Sequence, residues 1–226
     1  MRLREQVVVV TGANGAMGSA LVEHLKGRAQ HVVACIRGPE VDWRPVENSL
    51  SYVTCELTDR VAVNFMVAEI IRSLEGFHAW INGVGGYESS GLVEGVPPEA
   101  WPRMFDLNFI TCLNACQAIL PLFKEQQFGR IINFGSLAGE QGLTGAGPYA
   151  MSKAAVHSLT MTIAQELSGG VTANLIVPAV INTPTNRKAM PDAATESWTP
   201  PEEIALKIAE ILDEEDDPPN GQAYYF

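Results

Sequence analysis

The chain has 226 residues, of which 46% are hydrophobic and 18% charged, so it is long enough for one domain with a full core. Its formal charge of -11 argues against nucleic acid or an anionic membrane as the main partner, since both require clustered lysines and arginines. The longest early apolar run, Val7 to Val10, is too short for a signal-peptide core or a membrane span, so we expect a cytoplasmic protein.

The cysteines are spaced irregularly and form no CxxC pair. They are Cys35, Cys55, Cys112 and Cys116. This pattern predicts reduced, partly buried thiols, with a metal site as the alternative.

The first element is a strand that leads into a glycine-rich turn and a helix. The turn reads Thr11-Gly12-Ala13-Asn14-Gly15-Ala16-Met17-Gly18. In this context Gly12 permits a tight turn, Gly15 lets the backbone approach a phosphate, and Gly18 lets the helix pack closely on the strand. The start of the helix offers free N–H groups and a positive dipole end to a pyrophosphate. We therefore predict that Gly12, Asn14, Gly15, Met17 and Gly18 bind a dinucleotide; a sharp turn without a ligand is the alternative.

The second predicted strand, His31 to Ile36, is followed by Arg37. In a nucleotide-binding sheet the end of this strand meets the adenosine ribose, where a carboxylate suits a free 2′-hydroxyl and an arginine suits a 2′-phosphate. Here the strand ends in Ile36-Arg37, and neither of these residues is acidic. This favours NADP over NAD as the cofactor, although NAD stays possible. A solvated surface arginine is the alternative. Val41 to Pro45 is too short and too broken by proline for a crossover helix, so we expect a turn or loop there.

The middle of the chain contains a glycine-rich loop and a polar residue in a helical pattern. A strand at His78 to Asn82 ends in Gly83-Val84-Gly85-Gly86-Tyr87, where we expect the backbone to pass close to another group. The helical pattern from about Glu99 to Glu125 contains Asn108, an amide that needs partners if it is buried. Asn108 is either a satisfied structural group or a holder of a catalytic water.

A serine and a tyrosine–lysine pair follow the next strand. Ser136 lies just past the strand Arg130 to Phe134, where ligands bind in open α/β sheets. Tyr149 and Lys153 are four residues apart, on one face if the segment is helical. Proton transfer by a phenol near neutrality requires lowering its pKa by about three units, or roughly 4 kcal/mol, much of which a fixed neighbouring cation can supply. A ring at the edge of the core beside a solvated charge is the alternative.

The last third continues the alternation of strands and helices. Val171 to Val177 is a strand, Asn186 to Trp198 has no clear period and is expected to form a surface loop or lid, and Gln222 to Phe226 is an edge strand. We found neither repeats nor a linker. The chain is thus predicted to be one α/β domain, residues 1–226, with a doubly wound parallel sheet of about seven strands and helices on both faces.

The joint order of the glycine turn, Asn108, Ser136 and Tyr149-x-x-x-Lys153 resembles the short-chain dehydrogenase/reductase family over nearly the whole chain. The resemblance implies a Rossmann-type fold and an oxidoreductase that moves a hydride between NADP(H) and a carbonyl or alcohol. It implies that Tyr149 donates and accepts the proton, and that Lys153 lowers its pKa and binds the nicotinamide ribose. It also implies that Ser136 holds the substrate oxygen and that Asn108 supports a proton-relay water.

The same resemblance implies further cofactor contacts and a homodimer or homotetramer. Asn82-Gly83-Val84-Gly85 stands where the family has Asn-Asn-Ala-Gly, so Asn82, Gly83 and Val84 would contact the cofactor. Glu56 and Leu57 would border the adenine, and Pro178, Ile181 and Thr183 would meet the nicotinamide side. The turn has Ala16 where the common family pattern has glycine, and Gly15 instead fits the spacing of the extended branch. Ala179 replaces the usual glycine after the proline.

A narrower resemblance covers the last third. Thr183 to Pro191 and Ser197 to Pro200 are similar to the lid region of dihydropteridine reductases, as is Gly85-Gly86-Tyr87. Those enzymes reduce a quinonoid dihydropterin, generally without the serine, and favour NADH with an aspartate near the position of Arg37. Since Ser136 and Asn108 are both present here, a carbonyl or alcohol substrate is preferred. A pterin reductase is the alternative, and a non-catalytic dinucleotide sensor or scaffold is the second one.

Overall fold

Strands and helices alternate along the chain. The computed structural model describes residues 1–47 and 49–226. The strands are β1 Val7–Thr11, β2 His31–Ile36, β3 Asp42–Glu47, β4 Leu50–Thr54, β5 Ala79–Asn82, β6 Phe128–Phe134, β7 Gly170–Val177 and β8 Ala223–Tyr225. The α-helices are α1 Ala16–Leu25, α2 Arg60–Leu74, α3 Ala100–Phe105, α4 Thr111–Gln126, α5 Leu137–Gln141, α6 Gly147–Glu166, α7 Pro184–Ala189 and α8 Pro201–Asp213.

All these strands belong to one sheet with the order β3-β4-β2-β1-β5-β6-β7-β8. Every neighbouring pair is parallel except β3 with β4. The chain builds outwards from β1 first through β2 and β4, then returns to start the other half at β5. The carboxyl ends of β1 and β5 therefore flank the switch point where open α/β sheets bind their ligands. The predicted fold class is confirmed, with one strand more than expected.

The core lies on both faces of the sheet because side chains alternate along each strand. Val7 and Val9 pack on the side of α2, α4 and α6, whereas Val8 and Val10 pack on the side of α1 and α8. This explains the unbroken apolar run of β1, whose residues are all buried. All four cysteines are buried free thiols. In the described part of the chain, no group of three or more His, Cys, Asp or Glu residues could hold a metal ion.

The prediction of a turn or loop after β2 is wrong. The segment forms the edge strand β3, which is antiparallel to β4. Pro45 argued against a strand, but an edge strand tolerates a proline because one side of its backbone needs no partner in the sheet. The Thr54 hydroxyl fastens the start of β3, since Oγ1 donates to the Glu40 carbonyl at 2.5 Å and accepts from Asp42 N at 3.1 Å. β3 thus occupies the place where we expected a turn or loop.

The long helical pattern in the middle of the chain is interrupted by a π-helical turn at Asp106–Ile110, between α3 and α4. By length and composition alone, the whole segment Ala100–Gln126 could cross a membrane. In this fold, however, α4 contributes Cys116, Ile119 and Phe123 to the core beneath the sheet. It is therefore a core helix whose π turn faces the switch point.

The stretch without a clear period near the end contains short ordered elements. α7 covers its first residues, and a 3₁₀ turn lies at Thr195–Ser197. An isolated bridge joins Ile181 to Thr199, so the segment leaves and returns to the protein at one place. β8 then closes the sheet edge as predicted, with the Phe226 carbonyl accepting from Ala179 N at 2.8 Å.

Candidate active site

A cleft of about 520 Å³ opens at the carboxyl ends of the central strands. Its walls come from the turn after β1, the loop after β5, the end of β6 with α5, the start of α6, and the segment around α7. The lining residues are Met17, Gly83, Val84, Gly85, Gly86, Tyr87, Phe134, Gly135, Ser136, Leu137, Ala138, Gln141, Gly142, Leu143, Tyr149, Lys153, Pro178, Ala179, Val180, Ile181, Asn186 and Met190. Eight of the eighteen sequence-predicted residues line this cleft, and they are Met17, Gly83, Val84, Ser136, Tyr149, Lys153, Pro178 and Ile181.

The glycine turn has the geometry that its sequence predicts. Gly12 has a φ of 68°, and a Cβ there would lie 2.9 Å from the Gly83 carbonyl oxygen. A Cβ on Gly18 would lie 2.1 Å from the Gly12 carbonyl oxygen, so only glycine lets α1 pack this closely. Gly15 precedes the first residue of α1 and has no side chain above the helix start. The first N–H groups of α1 have no partner within the helix, and Met17 of this first turn lines the cleft.

The place where we expect the adenosine carries a charged pair at the surface. Arg37 Nε donates to Glu56 Oε2 at 2.9 Å, and the Arg37 side chain is 83% exposed. Burial raises the pKa of Glu56, but hydrogen bonds from Thr58 and Arg37 outweigh it and lower the pKa overall. The arginine and the acid that sequence reasoning assigned to separate contacts therefore hold each other. Leu57 is buried behind them.

The residues after β5 divide between the cleft and the core. Gly83 and Val84 line the cleft, whereas Asn82 is buried and turns its side chain into the core. Asn82 Oδ1 accepts from Trp80 Nε1 at 2.9 Å, and Asn82 Nδ2 donates to Asn133 Oδ1 at 2.8 Å. The Asn82 side chain thus links β5 to β6 rather than lining the cleft.

Asn108 lies in the π turn and is 1% exposed. Its Oδ1 accepts from Gly86 N at 2.9 Å, while its Nδ2 donates to Gly86 O at 3.1 Å and Met104 O at 3.2 Å. A Cβ on Gly85 would lie 2.9 Å from Asn108 Oδ1 and 3.2 Å from Lys153 Nζ. The side-chain amide is therefore satisfied, and it holds the cleft wall close to Lys153.

Ser136 follows β6 and is 4% exposed. Its Oγ accepts from Ala138 N at 3.3 Å and caps α5. Its backbone N–H donates to His157 Nε2 at 3.2 Å. Sequence reasoning missed His157, although its place four residues after Lys153 on the same helical face was a usable signal.

Tyr149 is half-buried at the start of α6 and faces the Tyr87 ring, with centroids 5.2 Å apart at 82°. Burial raises the pKa of the Tyr149 phenol, a hydrogen bond with Ser136 opposes this, and Tyr87 adds to it. The net direction is opposite to the lowering that the Tyr–Lys spacing predicted. A spacing of four residues brings two side chains to one face, but it does not tell how far each is removed from water.

Lys153 is 5% exposed, and its Nζ donates to the Phe134 carbonyl at 2.8 Å. Burial lowers its pKa to about 8, and Cys112 opposes the shift. At pH 7 the ammonium is still charged, and it is a buried cation facing the cleft. Its hydrogen bond ties α6 to the end of β6.

The remaining predicted contacts lie on the far wall. Pro178 and Ile181 line the cleft, and the Pro178 carbonyl accepts from Leu137 N at 3.2 Å. Thr183 is buried, and its hydroxyl accepts from Asn186 N at 3.1 Å to cap α7. The Thr183 hydroxyl is therefore occupied by helix capping.

Comparisons with known proteins identify the family of this chain. The model of the family described as short chain dehydrogenase matches residues 6–194. An uncharacterized oxidoreductase of Staphylococcus saprophyticus is 32% identical over 192 residues, covering 81% of this chain and 82% of that protein. A 3beta-hydroxysteroid dehydrogenase of Mediterraneibacter gnavus is 28% identical over 201 residues, covering 86% of this chain and 72% of that protein.

Solved structures share the fold across almost the whole chain. The structure of ElxO with NADP bound has a TM-score of 0.85 and 22% identity, covering 98% of this chain and 96% of that one. The ligand-free aldohexose dehydrogenase of Thermoplasma acidophilum has a TM-score of 0.83 and 23% identity, covering 99% of this chain and 92% of that one. Together with the match over residues 6–194, the site at the switch point shows that this chain is an oxidoreductase of the short-chain dehydrogenase family.

Proposed function

We propose that the protein transfers a hydride between NADP(H) and a carbonyl or alcohol substrate, with Tyr149 as the proton donor and acceptor. The observation that carries this proposal is the convergence of Ser136, Tyr149 and Lys153 on one cleft that also borders the glycine turn. A binding protein without chemistry has no need for a phenol, a hydroxyl and a buried cation at the same wall.

The residues present fit a dinucleotide. The turn at Gly12 and Gly15 leaves no Cβ between the cleft and the first N–H groups of α1, which suits a pyrophosphate. Met17, Gly83 and Val84 would border the cofactor along the switch point, and Pro178 and Ile181 would border its nicotinamide half. The bound cofactor would supply the hydride, and the protein would supply orientation and the proton.

The protonation states favour reduction at neutral pH. Because burial raises the pKa of Tyr149, the phenol carries its proton and can give it to the oxygen of a carbonyl that becomes an alkoxide. Ser136 would hold that oxygen, since its hydroxyl hydrogen-bonds with Tyr149. Lys153 would stabilise the phenolate that remains and bind the nicotinamide ribose. Oxidation of an alcohol needs the phenolate first, so we expect it to require higher pH.

Arg37 is the reason for preferring NADP. It lies just past β2, where a 2′-phosphate would come to rest, and its guanidinium is already ordered by Glu56. The same acid weakens the preference, because an ionised Glu56 repels a phosphate. NAD therefore stays a possible cofactor, and release of Arg37 from Glu56 is part of the proposal.

The test of the proton-transfer assignment is Tyr149→Phe. We expect this variant to fold and to bind NADPH as the wild type does, but to lose at least about a hundredfold in turnover, because the substituted ring has no proton to give. The assay is NADPH oxidation across a panel of ketones and aldehydes, with NADPH binding followed by fluorescence. Retained turnover in Tyr149→Phe would remove the assignment. Binding of NADPH by the wild type with no turnover at all would favour a sensor or scaffold.

A pterin reductase is the second candidate. Asn186 and Met190, from the segment that resembles a dihydropteridine reductase lid, line the same cleft as Tyr87 and Tyr149. Two aromatic rings and a thioether in one cleft suit a flat ring system. Turnover of quinonoid dihydropterin far above that of simple ketones would favour this candidate. A homodimer or homotetramer and a cytoplasmic location stay predictions.

A further inference from the structure

Three elements meet beside Ser136, and one polar side chain from each of them joins a polar network outside the cleft lining. His157 comes from α6, Glu140 from α5 and Tyr225 from β8. His157 Nε2 accepts from Ser136 N at 3.2 Å, His157 Nδ1 lies 3.5 Å from Glu140 Oε1, and Glu140 Oε1 accepts from Tyr225 Oη at 2.8 Å. This polar network therefore links the last strand to the backbone of the proposed catalytic serine.

The hydrogen bond to Ser136 determines the state of the imidazole. A backbone N–H can only donate, so His157 Nε2 must carry a lone pair, and the ring proton of the neutral form lies on Nδ1. That proton faces the Glu140 carboxylate, which also receives the Tyr225 hydroxyl. Every contact in this polar network pairs a donor with an acceptor only while His157 Nε2 carries no proton.

The backbone is built to let the imidazole approach. A Cβ on Gly135 would lie 2.2 Å from His157 Nε2, so any other residue at position 135 would push the ring away from the neighbouring peptide. Ser136 has an extended backbone with φ of -168° and caps α5 with its side chain. The Ser136 hydroxyl is thereby held from one side by α5 and from the other through its own N–H.

We propose that His157 is a positioning residue that fixes the Ser136 peptide through an unprotonated Nε2, so that turnover depends on a neutral imidazole. The proposal rests on the proposed function in one respect, namely that Ser136 holds the substrate oxygen. A protonated ring presents an N–H to the Ser136 N–H, and two donors cannot share a hydrogen bond. Protonation therefore moves the peptide and with it the hydroxyl.

The charged groups around His157 set the direction of its titration. Burial lowers the pKa of His157, Glu140 on α5 raises it, and Lys153 on the same helix lowers it. Tyr225 faces Glu140 rather than the ring. Since the net shift is downward, His157 stays neutral at pH 7 and protonates only below its ordinary value of about 6.5.

The experiment compares His157→Leu with His157→Gln in the full chain. Leucine removes the acceptor, whereas the glutamine side-chain oxygen can reach the Nε2 position and accept from Ser136. We expect His157→Leu to lose about tenfold or more in kcat with unchanged NADPH affinity, because the serine hydroxyl is displaced. His157→Gln should stay close to wild type at pH 7 and lose the acid limb of the pH–rate profile.

Glu140→Gln tests the direction in which the Glu140 charge shifts the pKa of His157. The glutamine oxygen still accepts from the imidazole and the phenol, but the negative charge that raises the pKa of His157 is gone. The acid limb should therefore move to lower pH. Equal loss of kcat in folded His157→Leu and His157→Gln, or an acid limb that persists in His157→Gln, would overturn the proposal.

A second readout does not depend on catalysis. In the wild type the amide signal of Ser136 in ¹⁵N NMR should follow the protonation of His157 as the pH falls below about 6.5, and it should stay constant in His157→Gln. If Tyr149→Phe retains turnover while the Ser136 amide titrates, the proposed function fails and the role of His157 stands. If Tyr149→Phe is inactive and the Ser136 amide does not titrate, only the role of His157 fails.

Discussion

The two ends of the cleft are built from different materials. At the end where we propose that the pyrophosphate binds, the turn at Gly12 to Gly18 presents backbone, and the charges of Arg37 and Glu56 are near the surface. At the end where we propose proton transfer, Tyr149 and Lys153 are largely removed from water and their pKa values are shifted by burial. The first end depends on shape, which changes little with pH, whereas the second depends on electrostatics that burial controls.

This difference explains why the catalytic end costs stability. A buried ammonium that donates to one carbonyl is poorly solvated, whereas close contact of α1 with the turn buries apolar and backbone atoms without charge. A substitution at Lys153 can therefore stabilise the fold and remove activity, whereas a substitution at Gly18 should weaken both the fold and cofactor binding. Three predictions, from the largest effect to the smallest, test this contrast.

The largest effect is expected for Lys153→Met. Turnover should fall about a hundredfold or more, because the buried cation that we propose stabilises the Tyr149 phenolate is lost. Burial depresses the pKa of Lys153 from 10.5 to about 8, which corresponds to a cost of about 3 kcal/mol for keeping the ammonium in the folded protein at pH 7. Part of this cost is offset by the hydrogen bond to Phe134. The variant should therefore be more stable than the wild type at pH 7, by about 1 to 2 kcal/mol.

The pH dependence of the stability difference between the wild type and Lys153→Met follows from the same depressed pKa of Lys153. Between pH 8 and 10.5 the unfolded chain binds a proton at Lys153 that the folded protein does not, so the wild-type free energy of unfolding rises with pH in that window. The difference between the two proteins in urea unfolding should shrink from pH 8 to pH 10. A Lys153→Met protein that is less stable than the wild type at pH 7 would contradict the contrast between the two ends.

An intermediate effect is expected at the glycine turn. A Cβ in Gly18→Ala would lie 2.1 Å from the Gly12 carbonyl oxygen, and backbone on both sides cannot give way easily. We expect a loss of about 1 to 3 kcal/mol in the free energy of unfolding. NADPH affinity should fall more than about tenfold, because α1 moves from the turn.

Gly15→Ala and Gly95→Ala are the controls for this prediction. A Cβ on Gly15 would meet only the Gly12 carbonyl oxygen at 3.3 Å, so Gly15→Ala should keep its stability but lose NADPH affinity. A Cβ on Gly95 has nothing within 4 Å, so Gly95→Ala should change neither quantity. Unfolding in urea and fluorescence titration with NADPH measure the two quantities. Unchanged NADPH affinity in Gly15→Ala would show that the turn is not a phosphate site.

The smallest effect is expected at the surface pair. Arg37→Ala should lower the ratio of NADPH to NADH affinity by about fivefold, or about 1 kcal/mol, because an exposed charge contributes little. Glu56→Gln is the matched variant: it removes the opposing carboxylate, so it should raise the same ratio. Titrations of both variants with both cofactors measure this. A ratio that is unchanged in Arg37→Ala would make Arg37 a surface charge that serves only Glu56.

Some features could be predicted because they depend on local chain geometry. The positive φ at Gly12 and the tight contact at Gly18 follow from a strand that turns into a helix within a few residues. The common face of Tyr149 and Lys153 follows from the helical repeat. Pro45 misled the prediction, because a proline argues against a central strand but not against an edge strand, and only sheet order tells which of the two it is.

The sequence by itself determined the alternation of strands and helices, the tight glycine turn after β1 and the order of the candidate site residues, since these depend on neighbours along the chain. Only the tertiary structure decided that Asn108 is satisfied by Gly86, that Arg37 is held by Glu56, and that His157 reaches the Ser136 peptide. It also decided that Tyr149 is shifted upwards and Lys153 downwards in pKa. The physical reason is that hydrogen-bond partners and burial come from elements distant in sequence, and no local pattern records them.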